Sequence, residues 1–203
     1  MTKNNAPSLI LASSSTVRRT LLENAGVSFQ VIPANVDEDA IKQSMFADNA
    51  KAIDAALVLA NLKAVRVSNQ TPDALVIGAD QILDMDGVWF DKPPDMDHAR
   101  SHLLKLRGRS HELATAVSIF RNGQQIWHHL ESPKLIMRDF SDEFLDRYLE
   151  ETGDQLLNSV GAYQLERHGV QLFSTIEGDF FSILGLPLLA VLHFLRDHNL
   201  VQS

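Results

Sequence analysis

Apolar positions along the chain follow two rhythms. Short unbroken runs mark strands at Leu9–Ala12, at Ser28–Pro33 and above all at Ala74–Leu83, which reads ALVIGADQIL. Apart from Gly78 the opening residues of that last run are all apolar, as in a strand buried on both faces. Gly78 and Ala79 thin its side chains, so that another backbone or a ligand can come close. Spacings of three and four instead predict helices. One carries Val17, Leu21, Leu22 and Ala25 and stops at Gly26; a long one runs over Asp48–Val65, capped by Asp48. Others follow Asp95 with Ala99, Leu103 and Leu106 on one face, span Ser141–Glu150, and run from Pro187 to about Arg196. Hairpins are expected where Ile82-Leu83 and Val88–Phe90 flank Asp86-Gly87, and where Glu112–Phe120 turns at Asn122-Gly123 into Gln125–His129. Lys134–Met137, Ser159–Glu166, Val170–Ile176 and Phe180–Leu184 read as further strands.

Strands and helices interleave without internal repeats or low-complexity linkers, which predicts a single mixed α/β domain over residues 1–203. Composition narrows the chemistry. The absence of cysteine removes disulfides, thiolate metal sites and thiol nucleophiles. A net charge of −8 argues against a nucleic-acid polymer as partner, yet a small anionic substrate needs only a few placed cations. The start MTKNNAPSLI lacks the long apolar core of a signal peptide, and no apolar run reaches membrane-spanning length, so no membrane partner and a cytoplasmic location are expected.

Candidate chemistry gathers at strand ends. Asp80 ends the most buried strand, where open α/β sheets place their ligand crevice, although an aspartate there can also simply cap a turn. Ser13, Ser14 and Ser15 occupy a strand-to-helix turn, the place for a phosphate or for an ordinary N-cap. Arg18 and Arg19 in the first helical turn oppose the helix dipole and suggest an expected anion. Asp37, Glu38 and Asp39 either supply oxygen ligands to Mg²⁺ or begin a helix. Lys63 continues the apolar Ala56–Ala60 face, so it must snorkel to water or meet an anion. Lys92 is held on a loop stiffened by Pro93-Pro94.

Taken in order, LASSS, NVDED, LANLKA, VIGADQ, DKP, LRGRSHELAT, GAY and IEGDFFSILGLPL cover nearly the whole chain, and in this order and spacing the sequence resembles the Maf family. The resemblance implies an inosine-triphosphate-pyrophosphatase-like fold, with a twisted mixed sheet, flanking helices and two lobes around a cleft. It implies hydrolysis of a nucleoside triphosphate to a monophosphate and pyrophosphate. Asp80, Lys63 and Lys92 would be catalytic, and Asp80 with Asp37 or Glu38 would hold Mg²⁺ or Mn²⁺. Ser13, Ser15, Val17, Arg18, Gln81 and Glu166 would bind substrate. A homodimer joins the expected partners on the same ground.

The departures bear on the base. Thr16 and Val17 stand where the best-known subgroup has proline and arginine, Gln81 where it has threonine, and Glu166 where it has glutamine. Gln81 with Glu166 resembles instead the subgroup acting on 7-methyl-GTP, although that subgroup has tryptophan at the place of Val17. An ionised glutamate accepts only, and so suits the adjacent donors of a guanine edge. Two other readings compete: a septum-formation regulator working through a division partner, and a serine hydrolase, against which stands the lack of any G-x-S-x-G elbow.

Overall fold

The computed structural model describes residues 7–202. Its strands are β1 (Leu9–Leu11), β2 (Gln30–Val31), β3 (Leu75–Met85), β4 (Val88–Phe90), β5 (Ser110–Arg121), β6 (Gln124–Glu131), β7 (Lys134–Met137) and β8 (Phe173–Glu177). Its helices are α1 (Thr16–Asn24), α2 (Glu38–Ala47), α3 (Ala52–Ser68), α4 (Met96–Leu106), α5 (Asp142–Thr152), α6 (Phe180–Ile183) and α7 (Leu188–Asp197). Among the described residues the strands make one eight-stranded sheet in the order β2-β1-β3-β5-β7-β8, with β4 on β3 and β6 on β5. β1 runs parallel to β2 and β3, whereas β3 and β5 are antiparallel, so the sheet is mixed and open as expected.

β3 is the axis, and its Leu75–Asp80 half is buried without interruption. At Gly78 an added Cβ would lie 2.2 Å from the Ala60 carbonyl oxygen and 2.9 Å from the Ala64 Cβ. Glycine therefore lets α3 lie directly on β3, and that contact brings Lys63 beside Asp80. One apolar cluster, with Leu83, Phe90, Leu103, Leu113, Tyr148 and Leu172, fills the lobe built mainly from the second half of the chain. Leu11, Leu22, Ile77, Val117 and Leu195 form another against α1 and α7. The cleft lies between walls from Ser13–Arg18 and Asn35–Gln43 and a wall from Asn158–Glu166.

Several expectations are corrected. Asp48 does not cap the long helix; it ends α2, Asn49 turns the chain at a φ of 55°, and α3 starts after Lys51 without a side-chain cap. The acid run does begin a helix, with Asp37 accepting the Ala40 N–H as the N-cap of α2. Ser28–Pro33 shrinks to a two-residue strand. Ser159–Glu166 is no strand: Gly161 and Ala162 have positive φ, 75° and 59°, and pull the backbone into a 3₁₀ turn. Val170–Ile176 divides into the end of a 3₁₀ turn and β8. Phe180–Leu184 folds as α6, because Asp179 accepts the Ser182 N–H and starts a helical turn.

Candidate functional site

The cleft, of roughly 720 Å³, collects residues from segments far apart in sequence. At its floor Lys63 Nζ donates to Asp80 Oδ1 at 2.6 Å and meets Glu38 Oε1 at 2.7 Å. Lys63 and Asp80 are buried, while Glu38 remains half-exposed. The second Asp80 oxygen, Oδ2, is buried with no hydrogen-bond partner, an unusual position for a carboxylate oxygen. Desolvation pushes the Glu38 carboxyl upward, but the charge and hydrogen bond of Lys63, helped by Lys42 and Arg18, hold it below its ordinary value.

The serine turn works as a structural cap and a wall at once. Ser15 Oγ accepts the Arg18 N–H, and Ser13 Oγ accepts the Ser15 N–H. Arg18 folds inward. Its Nε donates to the Gly185 carbonyl at 2.7 Å, and its Nη1 donates to the Ala79 carbonyl at 2.8 Å and to Ser13 Oγ. Burial lowers the guanidinium pKa, while Asp80 and Glu38 pull it back up. Arg19 turns outward instead and pairs with Glu23. Lys92 faces the cleft from an exposed loop, where desolvation and then Arg18, Lys63 and Lys42 depress its pKa against the opposing pull of Glu38.

The opposite end is built around Gln81. Its Nε2 lies 2.8 Å from Thr115 Oγ1, 2.9 Å from the Ser182 carbonyl and 3.1 Å from the Ile183 carbonyl. Carbonyls only accept, so the amide nitrogen must face α6. Val17, half-buried, packs with the cluster of Leu21 and Leu22 and lines the cleft, as does the exposed Glu166.

Of the residues expected from sequence, the cleft gathers Ser13, Ser15, Val17, Arg18, Glu38, Lys63, Asp80, Gln81, Lys92 and Glu166. Asp37 is not among them, since its carboxylate is spent on capping α2. Sequence reasoning missed Lys42 and Asp91, paired at 2.7 Å across the cleft, and the Gly185 and Ala79 carbonyls that hold Arg18. Lys42 carried a signal, standing one helical turn after Glu38 on the same face of α2. The backbone acceptors carried none.

Asp80 lies midway along β3 and not at its end as expected, and buried cations beside carboxylates there define an α/β protein whose cleft suits a polyanionic ligand. The profile of the family described as Maf-like protein matches residues 8–198, and the chain belongs to that family. A protein of Granulibacter bethesdensis named nucleoside triphosphate pyrophosphatase is 56% identical over 191 residues, covering 94% of this chain and 97% of its own. One of Rhodospirillum rubrum with the same name is 53% identical over 97% of this chain and 98% of its own. A protein of Rhizobium meliloti named 7-methyl-GTP pyrophosphatase is 47% identical over 97% of this chain and 99% of its own.

Proposed function

We propose that this chain is a nucleoside triphosphate pyrophosphatase, hydrolysing the bond between the α- and β-phosphates to release a nucleoside monophosphate and pyrophosphate. The observation that carries the reading is the buried Lys63–Asp80 pair, with Asp80 Oδ2 left unpartnered on the floor of a cation-lined cleft. The names of the relatives point the same way and do not favour the cell-division reading.

Arg18, Lys63, Lys92 and the Ser13–Ser15 turn neutralise the phosphates and hold the anhydride in line for attack. Asp80 Oδ2 accepts the proton of the attacking water as the anhydride bond breaks and pyrophosphate leaves. Lys63 keeps Asp80 oriented through the 2.6 Å contact to Oδ1, which leaves Oδ2 to face that proton. The residues also fit a divalent cation. Asp80 Oδ2 has no partner, Glu38 lines the same cleft, and both are hard oxygen donors. No group of three or more acidic, histidine or cysteine side chains is placed for a metal among the described residues. Mg²⁺ needs none, since one or two carboxylates with substrate phosphates and waters suffice. A Mg²⁺ or Mn²⁺ ion on Asp80 and Glu38 would polarise the phosphoryl oxygens.

For the base, Gln81 commits its amide nitrogen to α6 and has only its carbonyl left to offer. Glu166 adds a second acceptor, and two acceptors match guanine N1–H and its exocyclic amine better than the mixed edge of uracil or thymine. The substrate class that fits is therefore guanine-type, with 7-methyl-GTP the first to assay. A homodimer in the cytoplasm completes this reading, and sedimentation of the purified protein tests the dimer.

The test is pyrophosphate release from a panel of nucleoside triphosphates with and without chelator, for the wild type and Asp80→Asn. Expected are metal-dependent release of pyrophosphate and a loss of about 10²–10⁴-fold or more in the variant, measured below its melting temperature, which falls because Lys63 loses its buried counter-ion. Stepwise orthophosphate release, full turnover in chelator, or a variant within a few-fold of wild type would overturn it.

A further inference from the structure

Helix α2 buries none of its residues, yet it forms one wall of the cleft. Three contacts hold its inner face. Glu38 meets Lys63, Lys42 Nζ donates to Asp91 Oδ1 at 2.7 Å, and the Phe46 ring stands edge-on to Trp89 at 5.3 Å. Lys42 and Phe46 are one turn apart on the helix, and Trp89 and Asp91 are two residues apart on the facing segment, so both contacts lie on one seam.

The cations of the cleft differ in what already occupies them. Arg18 is bound to two carbonyls and a hydroxyl, and Lys63 sits between two carboxylates. Lys42 has a side chain 16% exposed, but its only ion-pair partner among the described residues is Asp91, whose side chain is 62% exposed. Burial lowers the lysine's pKa, yet the hydrogen bond and charge of Asp91, followed by Asp80 and Glu38, raise it on balance, so it stays charged. An exposed carboxylate rehydrates at little cost, and such pairs contribute little. Asp91 therefore stands where another oxyanion can replace it.

Position decides which oxyanion. Gln81 and Arg18 are tied to Ser182, Ile183 and Gly185 on the α6 side, while Lys42, Glu38 and Asp91 belong to the α2 side, with Asp80 and Lys63 between. A triphosphate with its base at Gln81 and Glu166 and its reacting bond at Asp80 must extend its far phosphates toward α2. We infer that Lys42 is a further substrate-binding residue, gripping the β- and γ-phosphates that leave as pyrophosphate, with Asp91 as the carboxylate those phosphates displace. This rests on the pyrophosphatase reading of the cleft.

The probe is magnesium pyrophosphate, titrated calorimetrically into the wild type, Lys42→Gln, Lys42→Arg and Asp91→Asn, which separates this inference from nucleotide choice. Losing a charge-assisted contact weakens binding about tenfold to a hundredfold. Lys42→Gln should show that loss, Lys42→Arg should keep most of the affinity, and Asp91→Asn should bind at least as tightly as wild type. Wild-type binding by Lys42→Gln, no pyrophosphate binding by the wild type, or an equal loss in Asp91→Asn, which would make the pair a structural latch, overturns the inference. Pyrophosphate release from nucleoside triphosphates by the wild type remains the separate test of the pyrophosphatase reading.

Discussion

Lys63→Met isolates the electrostatic core of the site. Methionine keeps the length and apolar contacts of a side chain in a residue only 7% exposed, and removes the ammonium alone. The lost contact of consequence is the 2.6 Å pair with Asp80, in which both side chains are under a tenth exposed. Removing one partner of a buried pair costs about 3–5 kcal/mol, because the other charge is left desolvated. The pair with Glu38 adds little, since that carboxylate is 41% exposed and can rehydrate. For a chain of this size each kcal/mol is about 2–4 °C, so the melting temperature should fall by about 6–20 °C. The pH dependence carries a sign. Glu38 is held below its ordinary 4.5, so its contribution is present above that value and lost as pH falls through the folded pKa. Lys63→Met removes that contribution, and the gap between variant and wild type should narrow on acidification. Circular-dichroism melts at about pH 7.5 and about pH 4 measure both effects. Melting temperatures within 2 °C at neutral pH (about the shift of a single weak contact) would refute the assignment of Lys63 as the buried counter-ion of Asp80, and a gap that does not narrow in acid would remove the contribution of the Lys63–Glu38 pair.

Gly78→Ala should destabilise by about 1–3 kcal/mol or more, read as a lower urea midpoint, because its Cβ would sit 2.2 Å from the Ala60 carbonyl oxygen and α3 must lift from β3. Burial pushes His111 down to about 4 from 6.5, so the unfolded chain takes up a proton the folded one refuses, and stability falls as pH drops between those values. His111→Gln should flatten that limb by up to about 1.4 kcal/mol per pH unit; an unchanged slope of unfolding free energy against pH would show that His111 is not its source. Glu166→Gln should shift the ranking of kcat/KM away from guanine-type nucleotides toward UTP and dTTP, and an unchanged ranking would remove Glu166 from base reading.

The sequence made legible whatever depended on local pattern. β3 could be read because it is apolar on both faces, and α4 because Asp95 stands before an apolar stripe and accepts the His98 N–H. Lys63 could be singled out because helical spacing put a charge on an apolar face, and Gly78 because a strand glycine invites close approach. The reading failed at short turns and caps hidden in apolar or acidic runs, and where long-range contacts decide. The apolar segment Phe180–Leu184 looks like a strand until Asp179 and Ser182 are seen to close a helical turn, with Glu131 from β6 on the same hydroxyl. Asp48 looks like a cap until Asn49 is seen in a left-handed turn between α2 and α3. Nothing in the letters said that Arg18 would be held by two backbone carbonyls, one from β3 and one from Gly185.

The same contacts explain how a chain of net charge −8 can present a cleft for an anion. Arg18, Lys42, Lys63 and Lys92 converge on that cleft, while other cations, such as Arg19 and Arg109, pair with acids on the surface. Burial and the charges of Arg18, Lys63 and Lys42 all depress Lys92, with Glu38 opposing. Protonating Lys92 therefore works against its cationic neighbours, a repulsion that a bound polyphosphate would relieve. Carboxylates prevent the opposite failure, a site so positive that it could not fold: Asp80 and Glu38 flank Lys63, and Asp91 meets Lys42. The balance of the cleft is thus set by which of these carboxylates can yield. Asp80 is buried on β3, Glu38 is half-exposed on α2, and Asp91 is the most exposed of the three. If the cleft holds a nucleoside triphosphate as proposed, displacing these carboxylates costs more from the rim to the floor, which favours capture of the far phosphates at the rim with the anhydride against Asp80.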